Sequence, residues 1–292
     1  MFTTQKNHYL CGQIQFVTMK FNSIKVKRFF FSLLILILAS ACSTNVKWNN
    51  IDFYEVKKLE VTTEKPTATE EDEFAALRDT AERTIDVTVD LQFMKSDDEN
   101  GENASVCNLI NSLLVEMVLK QSSELNVEEA IERYIADKKA EFQADEMSGN
   151  MYDHLTGVAE YGKTNIITYR LLEEMYTGGA HPLSVTTIYS FDAMSGEFLS
   201  LEQVFPSSNH AAITELLTKK LIKDLGKQSI EELKADGYLD MTDMFVSPNF
   251  ALRTDSVEFY YNTYDIAPYA CGPSVICLSY ENIKPYISVS FE

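Results

Sequence analysis

Basic residues are in short supply in this chain. Of 292 residues, 25 are Lys or Arg and 44 are Asp or Glu, giving a formal charge of −19. A nucleic-acid partner requires clustered cations to neutralise phosphates, so none is expected. Histidine is scarcer, with four residues and no His-x-x-x-His or His-Glu-x-x-His spacing, so a zinc hydrolase signature is missing. The five cysteines include no Cys-x-x-Cys pair, which leaves thioredoxin-like and zinc-ribbon readings without support. Gly-x-Ser-x-Gly, Ser-x-x-Lys, P-loop and Gly-x-Gly-x-x-Gly motifs are also missing. The segment Ser96–Asn103 is acidic but puts Ser96 where an EF-hand needs its first Asp. No metal or cofactor is therefore expected, although a site assembled from distant residues needs no local motif. No repeat of solenoid spacing occurs.

What is present begins with an apolar run, Phe29–Leu38, preceded by Lys20, Lys25, Lys27 and Arg28. It is too short for a relaxed span of about 20 residues. A basic stretch, an apolar core and small residues make a secretory signal. Here the small residues Ala39, Ser40 and Ala41 precede Cys42, a pattern that resembles a bacterial lipoprotein cleavage and lipidation site, with Ala39 standing where Leu is commoner. An uncleaved anchor helix ending near Cys42 is the alternative. Met19 offers a second start, which would leave residues 1–18 untranslated. Residues 1–41 hold five basic residues (Lys6, Lys20, Lys25, Lys27, Arg28) and no acid, so removing them takes the formal charge from −19 to −24. The expected location is the cell envelope, lipid-anchored to a bacterial membrane, with the face unassigned. Such acidity favours cationic partners and speeds their encounter.

Hydrophobic residues make up 45% and charged residues 24%, an ordinary globular balance that excludes collagen-like, coiled-coil and disordered classes over most of the length. Residues 42–74 read as the lipidated Cys and a tether, with a strand near Ile51–Val56. Ile85, Val87, Val89, Leu91 and Phe93 alternate with polar residues, the period of a half-buried strand. Ser105–Lys120 carries Val106, Leu109, Ile110, Leu113, Leu114, Met117 and Val118 at helical spacing, and a second helix is predicted from Val127 to Met147. Strands follow at 154–161, 165–176 and 183–191. A helix from Ser208 or Asn209 to Leu225 and a short one after Ser229 lead to strands near 249–253, 257–262 and 274–280, with a last one at 286–291. Helices cluster instead of alternating with strands, so the expected class is α+β: two packed small domains, 75–180 and 181–292, each with an antiparallel sheet and helices. Cys107 falls on the apolar side of its helix. Cys271 and Cys277, six apart around Gly272–Pro273, form a candidate disulfide in a compartment that permits one.

Two clusters carry the candidate site. Tyr176-Thr-Gly-Gly-Ala-His-Pro182 combines paired glycines, Gly178 and Gly179, with His181. Glycines permit backbone angles that other residues resist, and His181 can bond a glycan, a carboxylate or a partner backbone. A plain hairpin turn would use the same residues. The stretch Tyr260–Pro273 offers Tyr260, Tyr261, Tyr264 and Tyr269 around Pro268. Tyrosines supply rigid contact area with a polar tip, on a recognition surface or equally under a sheet.

Together with Ser190–Phe205, Val257–Tyr261 and Tyr264–Gly272, these clusters resemble the extracytoplasmic region of the RsiV-like family, which is also similar to the N-terminal part of PdaC-type polysaccharide deacetylases. The resemblance spans roughly residues 75–290. It implies a fused pair of domains of unknown function and, from the lysozyme-binding receptor role in that family, a surface used for binding. A Bacteroidetes-like source fits such lipoproteins. No cytoplasmic sigma-factor segment and no deacetylase domain accompany the pair, so neither activity carries over.

The primary expectation is a non-enzymatic binding module for a cationic envelope protein of lysozyme-like kind or a cell-wall glycan. Tyr176, Gly178, Gly179 and His181 form one edge of its surface, and Tyr264, Pro268 and Tyr269 the other. The alternative is a peptidoglycan- or polysaccharide-acting hydrolase using His181 and a carboxylate, which requires a buried acid beside His181. A third reading is a structural lipoprotein of a larger complex. No catalytic residue is assigned.

Overall fold

The computed structural model describes residues 6–9, 14–17, 51–64, 82–97, 101–144 and 149–290. The expected signal run, Cys42 and most of the tether lie outside the described residues. Residues 1–48 and 49–292 form separate units. In the first, β1 (Lys6–Tyr9) and β2 (Ile14–Val17) pair antiparallel. The second contains every other element. No helix among the described residues is long and apolar enough to cross a membrane.

The α+β class expected from the sequence is the one observed. A five-stranded sheet runs in the order β3 (Ile51–Glu64), β4 (Arg83–Ser96), β5 (Met151–Tyr161), β6 (Ile166–Tyr176), β7 (Leu183–Asp192). One pair departs from the antiparallel expectation: β4 and β5 are parallel, with Ile85 opposite Met151. Between them α1 (Glu102–Met117) and α2 (Val127–Ala144) carry the chain back to the starting end, the crossover that a parallel pair needs. Both helices cover one face of the sheet. The alternating residues Ile85, Val87, Val89, Leu91 and Phe93 all point into this core, with Ile110, Leu114, Ile131 and Phe142 from the helices. Each such fully buried side chain contributes about 1.5–3 kcal/mol. Leu109, predicted on the inward stripe, is instead exposed. Cys107 is buried as expected.

A second sheet-containing region follows. Its three-stranded antiparallel sheet has the order β8 (Phe250–Leu252), β9 (Ser256–Tyr261), β10 (Ser274–Ser279). Around it lie α3 (Leu201–Val204), α4 (His210–Asp224), α5 (Ile230–Ala235) and α6 (Tyr280–Ile283). Ile213, Leu217 and Leu221 of α4 pack with Phe205, Phe259 and Ile276. Ser200 and Gln203 form a reciprocal capping box on α3. Ser229 accepts from the Glu232 N–H at the start of α5, while the Glu232 carboxylate accepts from Gln228 instead of closing a box. The final strand predicted at 286–291 is not formed: Pro285 sits in a 3-10 turn at Lys284–Tyr286, and residues 287–290 join no sheet.

The two regions meet at the outer edge of β7. An open edge would leave strand amides unpaired. Here the Thr186 N–H donates to Asn262 Oδ1 (2.7 Å) and Asn262 Nδ2 donates to the Thr186 carbonyl (2.9 Å). Asn249 acts likewise, accepting from the Ile188 N–H (3.3 Å) and donating to the Thr186 carbonyl (3.2 Å). Two side-chain amides thus stand in for a sixth strand. Asn262→Ala strands the Thr186 N–H and leaves its carbonyl to Asn249 alone, and urea denaturation should show a loss of about 1–3 kcal/mol.

Candidate functional site

The sheet face away from α1 and α2 is only partly covered. At one end Glu160 and Arg170 meet the three-stranded region through Arg253 and Glu258. At the other end the face is half-buried, and it is aromatic. Tyr152 and His154, two apart on β5, share that face and stack at 4.8 Å between ring centroids. Tyr152 lies opposite Tyr176 in the strand register, with centroids 6.0 Å apart. His154 Nε2 lies 3.2 Å from Asp86 Oδ1 on the adjacent strand. The sequence pattern pointed to Tyr176 but not to Tyr152 and His154. Their i, i+2 spacing on a strand was the available signal.

Beyond Tyr176 the chain turns toward β7. Gly178 adopts φ +90°, in the left-handed region that favours glycine. Gly179 has no such constraint, and a Cβ there would meet nothing within 4 Å. Its carbonyl accepts from the Tyr176 hydroxyl at 2.8 Å, which closes the turn. His181 is exposed, with Nδ1 3.1 Å from the Pro182 carbonyl. A carbonyl only accepts, so this bond places a proton on Nδ1.

The tyrosine loop arrives from the second region. Asn262 and Asp265 pinch its start: the Asn262 N–H donates to Asp265 Oδ2 (2.7 Å) and the Asp265 N–H to the Asn262 carbonyl (3.0 Å). Within that turn Tyr264 holds φ +76°, a strained angle for a bulky residue. Pro268 packs against Gly237, where a Cβ would lie 3.1 Å from the proline Cγ. Pro268 therefore anchors the loop from the α5 side and positions Tyr269.

The Tyr269 ring stacks on His181 with centroids 4.3 Å apart and planes inclined by 29°. Tyr264 leans on the other side at 5.8 Å. Tyr264 is 58% exposed and Tyr269 47% exposed. The glycine turn and the tyrosine loop, more than eighty residues apart in sequence, thus form one aromatic step open to solvent. Tyr260 and Tyr261 take the other role open to them: Tyr261 is buried in the second core and Tyr260 is half-buried beneath Arg170.

No disulfide joins Cys271 and Cys277. Cys277 is buried in β10, whereas Cys271 is half-buried in the 3-10 turn after Pro268, with Sγ 4.0 Å from the Asp236 carbonyl. Of the buried acids, Asp153 is 0% exposed, accepts from the Tyr134 hydroxyl at 2.8 Å and lies 3.5 Å from Lys138 Nζ. Burial pushes its carboxyl above the ordinary range, against the pull of Tyr134 and Lys138. Asp153 belongs to the helix-covered face of β5, opposite to that of Tyr152 and His154. Among the described residues no three His, Cys, Asp or Glu side chains converge as a metal site.

Residues 202–281 match the family described as "Protein of unknown function (DUF3298)". That span covers the second region, including the tyrosine loop. Two solved structures are similar over most of the chain. One is a member of the DUF3298 family from Bacteroides fragilis, 23% identical, with a TM-score of 0.69, covering 82% of this chain and 95% of that one. The other is a DUF3298 family protein from Pseudomonas aeruginosa, 16% identical, with a TM-score of 0.53, covering 81% and 94%. These likenesses establish a shared fold. No curated protein matches the chain.

Proposed function

We propose that this protein is an envelope-facing, lipid-anchored binding module of the RsiV-like and PdaC-like kind, which recognises a cationic envelope protein or a cell-wall glycan. The observation that carries the reading is the exposed stack of His181 on Tyr269 at 4.3 Å. Exposed aromatic rings held rigid by neighbours lose little entropy when a partner covers them. Tyr176, Gly178 and Gly179 shape the turn that presents His181. Pro268 fixes the loop that presents Tyr264 and Tyr269. The chain charge of −19 supplies attraction for a basic partner.

The test is direct binding of the full chain to a basic lysozyme and, separately, to soluble peptidoglycan fragments. Tyr269→Ala is expected to weaken binding at least about tenfold while thermal unfolding stays unchanged. Binding to the basic protein should fall steeply as salt rises through physiological ionic strength. Retained affinity in Tyr269→Ala and His181→Ala together would remove this face from the reading.

A further inference from the structure

A second concavity lies away from the aromatic step. It is a cleft of about 410 Å³ between the β5–β6 turn and the C-terminal stretch, lined by Lys163, Tyr280, Lys284, Ile287, Ser288 and Ser290 among others. Its volume is within the usual range for small-molecule sites. Its charge runs against that of the chain. Lys163 Nζ donates to the Thr254 carbonyl (3.1 Å) and rests 4.9 Å from the centre of the Tyr280 ring. Neither contact neutralises an ammonium. Lys284 is exposed, and neither lysine forms an ion pair among the described residues. Elsewhere acids are abundant enough to pair Lys57, Lys58, Lys139, Lys219 and Lys227. Glu281, next to Tyr280, forms no ion pair with either lysine among the described residues, and Asp255 accepts from the Ser256 hydroxyl at 2.9 Å.

The two walls are held in place. Lys163 is fixed at the backbone, where its N–H donates to the Leu252 carbonyl (2.6 Å). The opposite wall is tied by the Ser288 N–H to the Val204 carbonyl (2.9 Å), and the Tyr280 hydroxyl donates to the Arg253 carbonyl (2.9 Å). Two unpaired ammonium groups, two serine hydroxyls, an aromatic edge and an aliphatic side chain therefore line one fixed cleft. That set matches a compact ligand with an oxyanion at one end and a less polar body at the other.

We propose that this cleft is an oxyanion site, taking a carboxylate or phosphate carried on a small, sugar-sized molecule. The proposal stands independently of the aromatic face. Lys163 and Lys284 hold the charge, the serine hydroxyls donate to the remaining oxygen positions, and Ile287 packs against the ligand body.

The probes are glucuronate, a glucose phosphate and neutral glucose, titrated into the full chain while backbone amide signals are followed by NMR. Either anion should shift the amides of Lys163, Lys284 and Ile287–Ser290, and the tighter of the two identifies the oxyanion preferred. Neutral glucose should bind at least about tenfold more weakly, the value of one charge-assisted contact. Lys284→Glu should weaken the anion at least about tenfold with unaltered thermal unfolding, because Lys284 is exposed and unpaired. Tyr269→Ala should leave anion affinity unchanged. Glucose binding as tightly as the anions, full affinity in Lys284→Glu, or no shift with any probe up to about 20 mM would each overturn the proposal.

Discussion

Glu258→Gln should destabilise the protein by about 3–5 kcal/mol, the largest loss expected from a single side-chain exchange. Glu258 lies on β9, is 8% exposed, and receives two guanidinium groups. Arg170 Nη2 from the five-stranded sheet donates to Oε1 at 2.6 Å. Arg253 Nε and Nη2 donate to Oε2 at 3.0 and 2.8 Å, and Arg253 Nη1 reaches back to Glu160 on β5. The acid therefore bridges the two regions and neutralises cations that have given up part of their hydration. Its amide keeps the shape but leaves that charge uncompensated. Urea denaturation at neutral pH would measure the loss.

The same residue sets a pH dependence. Burial pushes the Glu258 carboxyl up, but the charges and hydrogen bonds of Arg170 and Arg253 outweigh burial and hold it below the usual carboxylate range. A folded pKa below the unfolded one means that the unfolded chain binds the proton more readily. The contribution is then complete above the unfolded value, about pH 4.3, and is lost as pH falls through the lower folded value. The steepest part of acid unfolding should become shallower in Glu258→Gln, since that variant no longer takes up this proton.

Much of this architecture was legible, and the reasons differ by element. The strand at 83–96 was visible because one face is wholly buried and the other is not, so composition repeats the pleat. The helices at 102–117 and 127–144 were visible through their apolar stripes. The parallel pairing of β4 and β5 was not, because register depends on where α1 and α2 return the chain and no local residue encodes that. The length of β3, extending to Glu64, was also hidden. It is an edge strand, and exposed positions such as Leu59 and Val61 break its alternation. In the candidate site, Gly178, His181 and the tyrosines announced themselves by type. Their stacking did not, because it requires two segments brought together by the Asn249, Asn262 and Glu258 contacts. The candidate Cys271–Cys277 bridge is not formed, because sequence spacing says nothing about where a strand buries one thiol and a turn leaves the other half-exposed.

Gly162→Ala should test whether the junction and the aromatic step are one mechanical unit. Gly162 opens the turn between β5 and β6, and a Cβ there would lie 2.2 Å from the Leu252 carbonyl oxygen. That obstacle is backbone, and the same carbonyl accepts the Lys163 N–H, so no rotamer change relieves the clash. Either β8 withdraws or the hairpin does. Overpacking of this kind costs about 1–3 kcal/mol where side chains can move, and the backbone contact puts Gly162→Ala at or above the top of that range. The displacement also has a direction, opening the gap between the sheet that carries His181 and the region that carries Tyr269. Because the ring stack spans that gap at 4.3 Å, a shift of even one ångström should change how the rings overlap. Thermal unfolding would report the lost stability, and the ring-proton NMR shifts of His181 and Tyr269 would report the stack. A destabilised variant with unchanged ring shifts would mean that the turn and the tyrosine loop keep their contact without the junction. Loss of both together would show that the geometry of the ring stack is set at Gly162, beyond the opposite end of β6 from the rings themselves.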